Sequence, residues 1–168
     1  TIVVNQLRRN MKPALSAKSA SFKLWNEELQ KYSEIKENKA YWDNIDNLLE
    51  NTKSFNASEE VNGFEEFNYT FSEEVSSKII NEVNTTYGTR IHEVLITALG
   101  LAAGKIANGS VGIMVESHGR IPLNRRIALE HTIGWFTSCY PVVVNNSENI
   151  ASELISTKDT LRRIPRSG

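Results

Sequence analysis

The chain has 168 residues, 40% of them apolar, and 19 basic against 20 acidic side chains leave a formal net charge of −1. That length suits one domain able to bury a sizeable core, and the balanced charge offers no electrostatic footprint for nucleic acid or an anionic membrane. The longest apolar run, Val94 to Ala107, contains Lys105 and is too short to span a bilayer. Basic residues gather at Arg8, Arg9 and Lys12, at Arg125 and Arg126, and at Arg162, Arg163 and Arg166; these read as helix ends or solvated rims.

In chain order, residues 1–18 open with an apolar Ile2-Val3-Val4 and a basic patch that Pro13 keeps from continuing as helix, so a connecting segment is expected. A helix follows from Ser19, with Phe22, Trp25, Leu29 and Tyr32 recurring at three and four. Another spans about Glu37 to Glu50 with Tyr41, Trp42, Ile45, Leu48 and Leu49 on one side. Such stripes are packing surfaces rather than base-stacking platforms. Residues 51–63 are polar and turn-rich, an internal loop.

Alternation of Phe67, Tyr69 and Phe71 predicts a strand over Glu66 to Phe71. Ser72 suits an N-cap, with Glu73 and Glu74 at the positive end of a helix that carries Val75, Ile79, Ile80 and Val83 and ends at Tyr87-Gly88. The next helix, from Thr89 to Ala107, is apolar on nearly all sides and is expected in the interior, with Gly100 and Gly104 as close-packing points. His92 and Glu93 near its start read as a satisfied helix-end pair. Asn108-Gly109 then turns the chain into a strand over 111–117. A second strand runs from Tyr140 to Asn145, and a last amphipathic helix ends at Pro165.

Cys139 is the one cysteine, which excludes a disulfide within the chain and fits a reducing cytoplasm. Followed by Tyr140-Pro141 and a valine run, it reads as a core cysteine. Three separated histidines and one cysteine show no metal-ligand spacing. No secretory signal core opens the chain, and the start on Thr1 with the stop after Ile164-Pro165-Arg166-Ser167-Gly168 reads as a piece of something longer.

The chemistry concentrates between Val111 and Asn145. Val111, Ile113 and Val115 fall on one side of the first strand, and Gly112, Met114 and Glu116 on the other. Gly119 permits a turn, with His118 before it and Arg120 after it. A carboxylate, an imidazole and a guanidinium at the end of an apolar strand suit proton transfer. The alternative is a solvated strand end, where Glu116 pairs with Arg120 and His118 is a bystander.

Glu116-Ser117-His118-Gly119-Arg120 resembles the E-x-H-G-R signature of epimerization domains of nonribosomal peptide synthetases. Thr132-Ile133-Gly134-Trp135-Phe136-Thr137-Ser138-Cys139-Tyr140-Pro141-Val142 is similar to their VGWFTSxYPV block, at the family's spacing. Leu161-Arg162-Arg163-Ile164-Pro165 and Ser21-Phe22 with Trp25 resemble two further stretches of the same family. The resemblance implies an α/β chloramphenicol-acetyltransferase-like (condensation/epimerization) fold, of which residues 1–168 form one lobe, the C-terminal one: a mixed sheet packed with helices. The family's HHxxxDG motif belongs to the other lobe and matches none of His92, His118 and His131.

The implied activity is inversion at Cα of an aminoacyl or peptidyl thioester held on the phosphopantetheine arm of a carrier protein. No cofactor is bound directly, and the piece alone is expected to be inactive. The resemblance makes Glu116 a proton-transfer group. By its chemistry Arg120 could orient Glu116, stabilise enolate charge or hold the two lobes in register, of which orienting is favoured, and His118 is read as bracing the turn by hydrogen bonding rather than exchanging protons; Trp135, Phe136 and Tyr140 read as packing. Partners implied are the N-terminal lobe, a carrier protein and an adenylation domain of the same synthetase, with no nucleic acid and no membrane. Self-association of an excised lobe is expected from its exposed apolar surface. The other readings are a condensation-type amide-forming lobe and a non-catalytic docking lobe. The chain departs from the family pattern at Ser117, usually Gly, at Ile121-Pro122-Leu123, usually acidic, and at His131, usually Arg.

Overall fold

The computed structural model describes residues 2–12, 17–53, 66–125 and 127–168. Pro13, Arg126 and residues 54–63 of the expected loop lie outside the described residues. The chain forms two compact units, Thr1–Glu34 with Arg120–Phe136, and Ile35–Gly119 with Thr137–Gly168.

The first unit contains helices α1 (Ile2–Arg8) and α2 (Phe22–Ser33). Helix α1 falls inside the stretch read as a connecting segment. Helix α2 begins where Ser21 Oγ accepts the Leu24 N–H at 3.1 Å, which satisfies one of the amides that a first turn leaves without a partner. Its aromatic stripe packs as expected: Trp25 is buried with Ile127, Leu129 and Phe136, and Phe136 meets the rings of Trp25 and Phe22 edge-on at 4.9 and 5.1 Å. The returning segment is fastened by backbone as well, through Ala20 N–H to the Ala128 carbonyl at 2.8 Å. Trp135 does not share the packing expected of it; it is 82% exposed. Neighbouring side chains of a non-helical segment point apart, and Phe136 takes the inward place.

The second unit is built on an antiparallel ribbon of β1 (Val111–Ser117) and β2 (Ser138–Val144), in register from Val111 opposite Val144 to Ser117 opposite Ser138. Val111, Ile113 and Val115 share a face with Tyr140, Val142 and Val144, and this apolar face packs with Ile96, Leu161, Ile164, Tyr41 and Trp42. These come from α3 (Lys36–Leu49), α6 (Ile91–Ala107), α7 (Ile150–Arg163) and the residue after α7. Burial on one face and exposure on the other is what alternation at a period of two requires.

Helix α6 corrects one expectation. Glu93, Thr97, Gly100, Leu101 and Gly104 are buried, yet Leu95, Leu99 and Ile106 are 53, 58 and 78% exposed. A ribbon of two strands covers only one side of a helix that is apolar all round. The close-packing role of the glycines holds. A Cβ on Gly100 would collide with the Val144 side chain, and one on Gly104 would stand 2.9 Å from the Gly109 carbonyl. Gly100→Ala gains about 1 kcal/mol of helix propensity but forces the helix off β2, which costs about 1–3 kcal/mol. The expected net result is a melting temperature lower by about 3 °C, measured by thermal unfolding.

The run after Ser72 is helical as expected, but in three pieces: α4 (Glu73–Ser77), a π-helical turn over Lys78–Val83, and α5 (Asn84–Tyr87) closed by Gly88 at φ +57°. Ser72 Oγ accepts the Val75 N–H at 3.3 Å. The strand expected over Glu66 to Phe71 is absent. The segment pairs with no strand among the described residues, and Phe67, Tyr69 and Phe71 are 91, 73 and 56% exposed. Alternation marks a segment able to be a strand, but only a neighbouring edge makes it one.

Helices α6 and α7 are joined by an ion pair. Glu93, 2% exposed, receives Arg162 side-on, Nε to Oε1 at 2.9 Å and Nη2 to Oε2 at 3.0 Å. Its Oε2 also accepts the Arg90 backbone N–H at 2.8 Å, the reciprocal half of a capping box. Arg162 Nη2 donates to the Gly88 carbonyl at 2.6 Å and Lys158 Nζ to the Tyr87 carbonyl at 2.8 Å, so α7 holds the end of α5 too. The helix-end reading of Glu93 is thus met by a partner from a distant part of the chain.

Candidate functional site

Glu116 lies one residue before the end of β1 and, by strand parity, on the face opposite Val115 and Tyr140. That face also carries Gly112, Met114, Cys139, Pro141 and Val143. Glu116, Cys139 and Met114 are exposed, Met114 at 66%. The Glu116 carboxylate therefore stands at the open end of this face, whose Gly112 end lies against Leu49 of α3, while the strand is anchored from the other side.

Cys139, expected in the core, is exposed. It pairs in register with Glu116, and its thiol donates to Glu116 Oε1 at 3.8 Å. The valine run could have told this from the sequence. If Tyr140, Val142 and Val144 face inward, Cys139 faces out.

Beyond Ser117 the strand gives way to a turn. His118 is exposed, and Gly119, at φ +58°, is buried in a conformation that glycine adopts at no steric cost. Ser117 Oγ lies 2.8 Å from Ser138 Oγ and accepts the Gly119 N–H at 3.3 Å. Neither serine was singled out as a functional position by its spacing; the register across β1 and β2 brings them together.

Arg120 opens the segment that belongs to the first unit. Its Nη1 donates to the carbonyls of Leu129 at 2.8 Å and Thr132 at 2.6 Å, and the guanidinium lies 4.2 Å from the centroid of the Phe136 ring. The geometry is that of a clamp on residues 129–132, since two carbonyl dipoles and one aromatic face all receive the cation. Thr132 is held further by its hydroxyl, which donates to the Ala20 carbonyl at 2.6 Å. His131 is exposed. Among the described residues no cluster of His, Cys, Asp and Glu could hold a metal ion, and no helix is long and apolar enough to cross a membrane.

The antiparallel ribbon with helices on its apolar face agrees with the solved structures that this chain matches, and the chain has the α/β chloramphenicol-acetyltransferase-like fold of condensation and epimerization domains. The family model for the condensation domain matches residues 2–168, and the chain belongs to that family. It is 33% identical over 164 residues to tyrocidine synthase 2 of Brevibacillus parabrevis, which covers 92% of this chain and 5% of that protein. Gramicidin S synthase 1 of Brevibacillus brevis is 33% identical over 165 residues, covering 92% of this chain and 15% of the relative.

Among solved structures, the epimerization domain from the third module of tyrocidine synthetase B matches with a TM-score of 0.70 and 31% identity, over 98% of this chain and 40% of that one. The first condensation domain of the CDA synthetase matches with a TM-score of 0.64 at 15% identity, over 96% of this chain and 36% of that one, a likeness of fold alone. The chain thus spans less than half of either solved domain and a small fraction of the curated relatives it matches.

Proposed function

We propose that this chain is the C-terminal lobe, over residues 1–168, of an epimerization domain in a nonribosomal peptide synthetase, and that Glu116 exchanges the Cα proton of a carrier-bound aminoacyl or peptidyl thioester. The observation that carries this reading is the Glu116 carboxylate on the open face of the ribbon, at the end of a strand anchored from behind. The E-x-H-G-R stretch and the 31% identity to an epimerization domain support inversion over amide formation.

The chemistry runs as proton removal and return. The thioester acidifies Cα–H, a base takes the proton, and the electron pair delocalises onto the thioester oxygen as an enolate. A second acid delivers a proton to the opposite face, and the enolate collapses to the inverted thioester. Glu116 is one of these two groups. The other, in this reading a histidine of the HHxxxDG lobe, lies outside this chain. The substrate arrives on the phosphopantetheine arm of a carrier protein, loaded by an adenylation domain, in the cytoplasm. Arg120 and His118 act here through the turn, Arg120 by clamping residues 129–132 and His118 at its start.

The test is α-deuterium washout from a deuterated aminoacyl thioester, with chiral analysis of the released amino acid, using the full polypeptide that carries this sequence. Deuterium loss with inversion is expected. An amide product from two carrier-bound substrates without inversion assigns the lobe to condensation, and carrier binding with neither reaction assigns it to docking. The 168-residue chain alone is expected to give no washout above the rate in buffer, because one of the two acid/base groups is missing.

A further inference from the structure

Ser117 and Ser138 form the last cross-strand pair of the ribbon, with their hydroxyl oxygens 2.8 Å apart and both residues half-buried. Ser117 Oγ also receives the Gly119 N–H at 3.3 Å. One hydroxyl therefore ties the strand end sideways to β2 and forward to the turn. Ser117 and Glu116 are sequence neighbours on opposite faces of β1, so whatever fixes the rotation of the strand at 117 also fixes the direction in which the 116 side chain leaves it. A strand end without such a tie frays, because terminal ladder bonds open at little cost.

We propose that the Ser117–Ser138 hydroxyl pair is a positioning device that closes the end of β1 onto the His118–Gly119 turn and thereby aims the Glu116 carboxylate at the substrate. Neither serine touches reacting atoms; both act through the backbone of residues 116–119. The proposal rests on the reading of Glu116 as a proton-transfer group. A misplacement of about 1 Å in such a group costs up to about a hundredfold in rate, and loss of one clasp that leaves the ladder intact is expected to cost less, about tenfold.

The experiment is a double-mutant cycle in the full polypeptide, read by α-deuterium washout. Ser117→Ala and Ser138→Ala are each expected to lower kcat about tenfold with KM for the carrier-bound substrate unchanged. The double variant should lose no more than Ser117→Ala alone, since Ser117→Ala already removes the only contact that Ser138→Ala takes from the pair. Ser117→Thr, which keeps the hydroxyl and suits a strand, should restore kcat to within about twofold.

Hydrogen exchange of the peptide spanning residues 117–121 reads the clasp without reference to any reaction. It should quicken in Ser117→Ala and return to the original rate in Ser117→Thr. Unchanged exchange in Ser117→Ala, or fully additive losses in the cycle, would overturn the pair as a device. Faster exchange with undiminished kcat would leave a structural clasp and overturn its positioning role. Failure of the epimerization reading shows separately, as absence of washout in the unsubstituted polypeptide. That result removes the positioning role while the hydrogen-exchange result still stands.

Discussion

Glu116→Gln in the full polypeptide is expected to slow α-deuterium washout by about a thousandfold, the middle of the range for removing a positioned general acid or base. Glutamine keeps the shape of the side chain and its place on the open face of the ribbon, so binding of the carrier-bound substrate should change little. A fall in kcat at constant KM is the signature of a group that acts in the transition state rather than in binding. Folding should be unaffected, because Glu116 is exposed and the apolar face that holds the ribbon lies on the other side. Equal melting temperatures for the two proteins would establish that. Washout within about tenfold of the unsubstituted rate would remove Glu116 from the reaction and leave the alternative of a solvated strand end.

The largest effect on stability is expected at Glu93. Burial on its own pushes this carboxyl upward, but the Arg162 hydrogen bonds, the Arg90 backbone N–H and the nearby charges of Arg162 and His92 together outweigh it, and the net direction is below the ordinary value of 4.5. Glu93→Ala removes the partner of Arg162 and one cap of α6 together. Loss of one member of a fully buried pair costs about 3–5 kcal/mol; with Arg162 half-exposed to water, about 2–3 kcal/mol is expected, a melting temperature lower by about 5–10 °C.

The pH dependence follows from the direction of the shift. A carboxyl whose folded pKa is depressed stabilises the fold above its unfolded pKa, and that stabilisation is lost as pH falls through the folded value. The unsubstituted protein should therefore melt above Glu93→Gln at pH 7, and the gap should narrow as the pH falls below the ordinary value of 4.5 and close once it passes below the lowered folded value, where Glu93 is protonated and resembles glutamine. A gap that stays constant from pH 7 to pH 3, measured by calorimetry, would show that the ion pair contributes nothing.

Local patterns carried most of the secondary structure. The caps at Ser21 and Ser72, the left-handed turns at Gly88 and Asn108, and the alternation over 111–117 rest on interactions within a few residues, so the order of side chains is enough to place them. Glu116 and Gly119 were legible for the same reason. The failures share one cause. Residues 66–71 alternate like a strand and pair with no strand among the described residues, helix α6 is apolar all round and is covered on one side, and Cys139 and Trp135 are apolar neighbours of buried rings that point the other way. Hydrophobicity says that a side chain gains from burial, not whether a neighbour is there to bury it.

The sequence by itself determined the helices after the first, the two strands of the ribbon and the acidic position at the end of the first strand, because propensity, capping and period act over one or two turns of chain. Only the tertiary structure decided that Arg162 reaches Glu93 across 69 residues, that Arg120 spends its guanidinium on the carbonyls of Leu129 and Thr132, and that Ser138 meets Ser117 beside Glu116. Those contacts join residues far apart in the chain. Their existence depends on strand register and helix packing, which no local run of residues specifies.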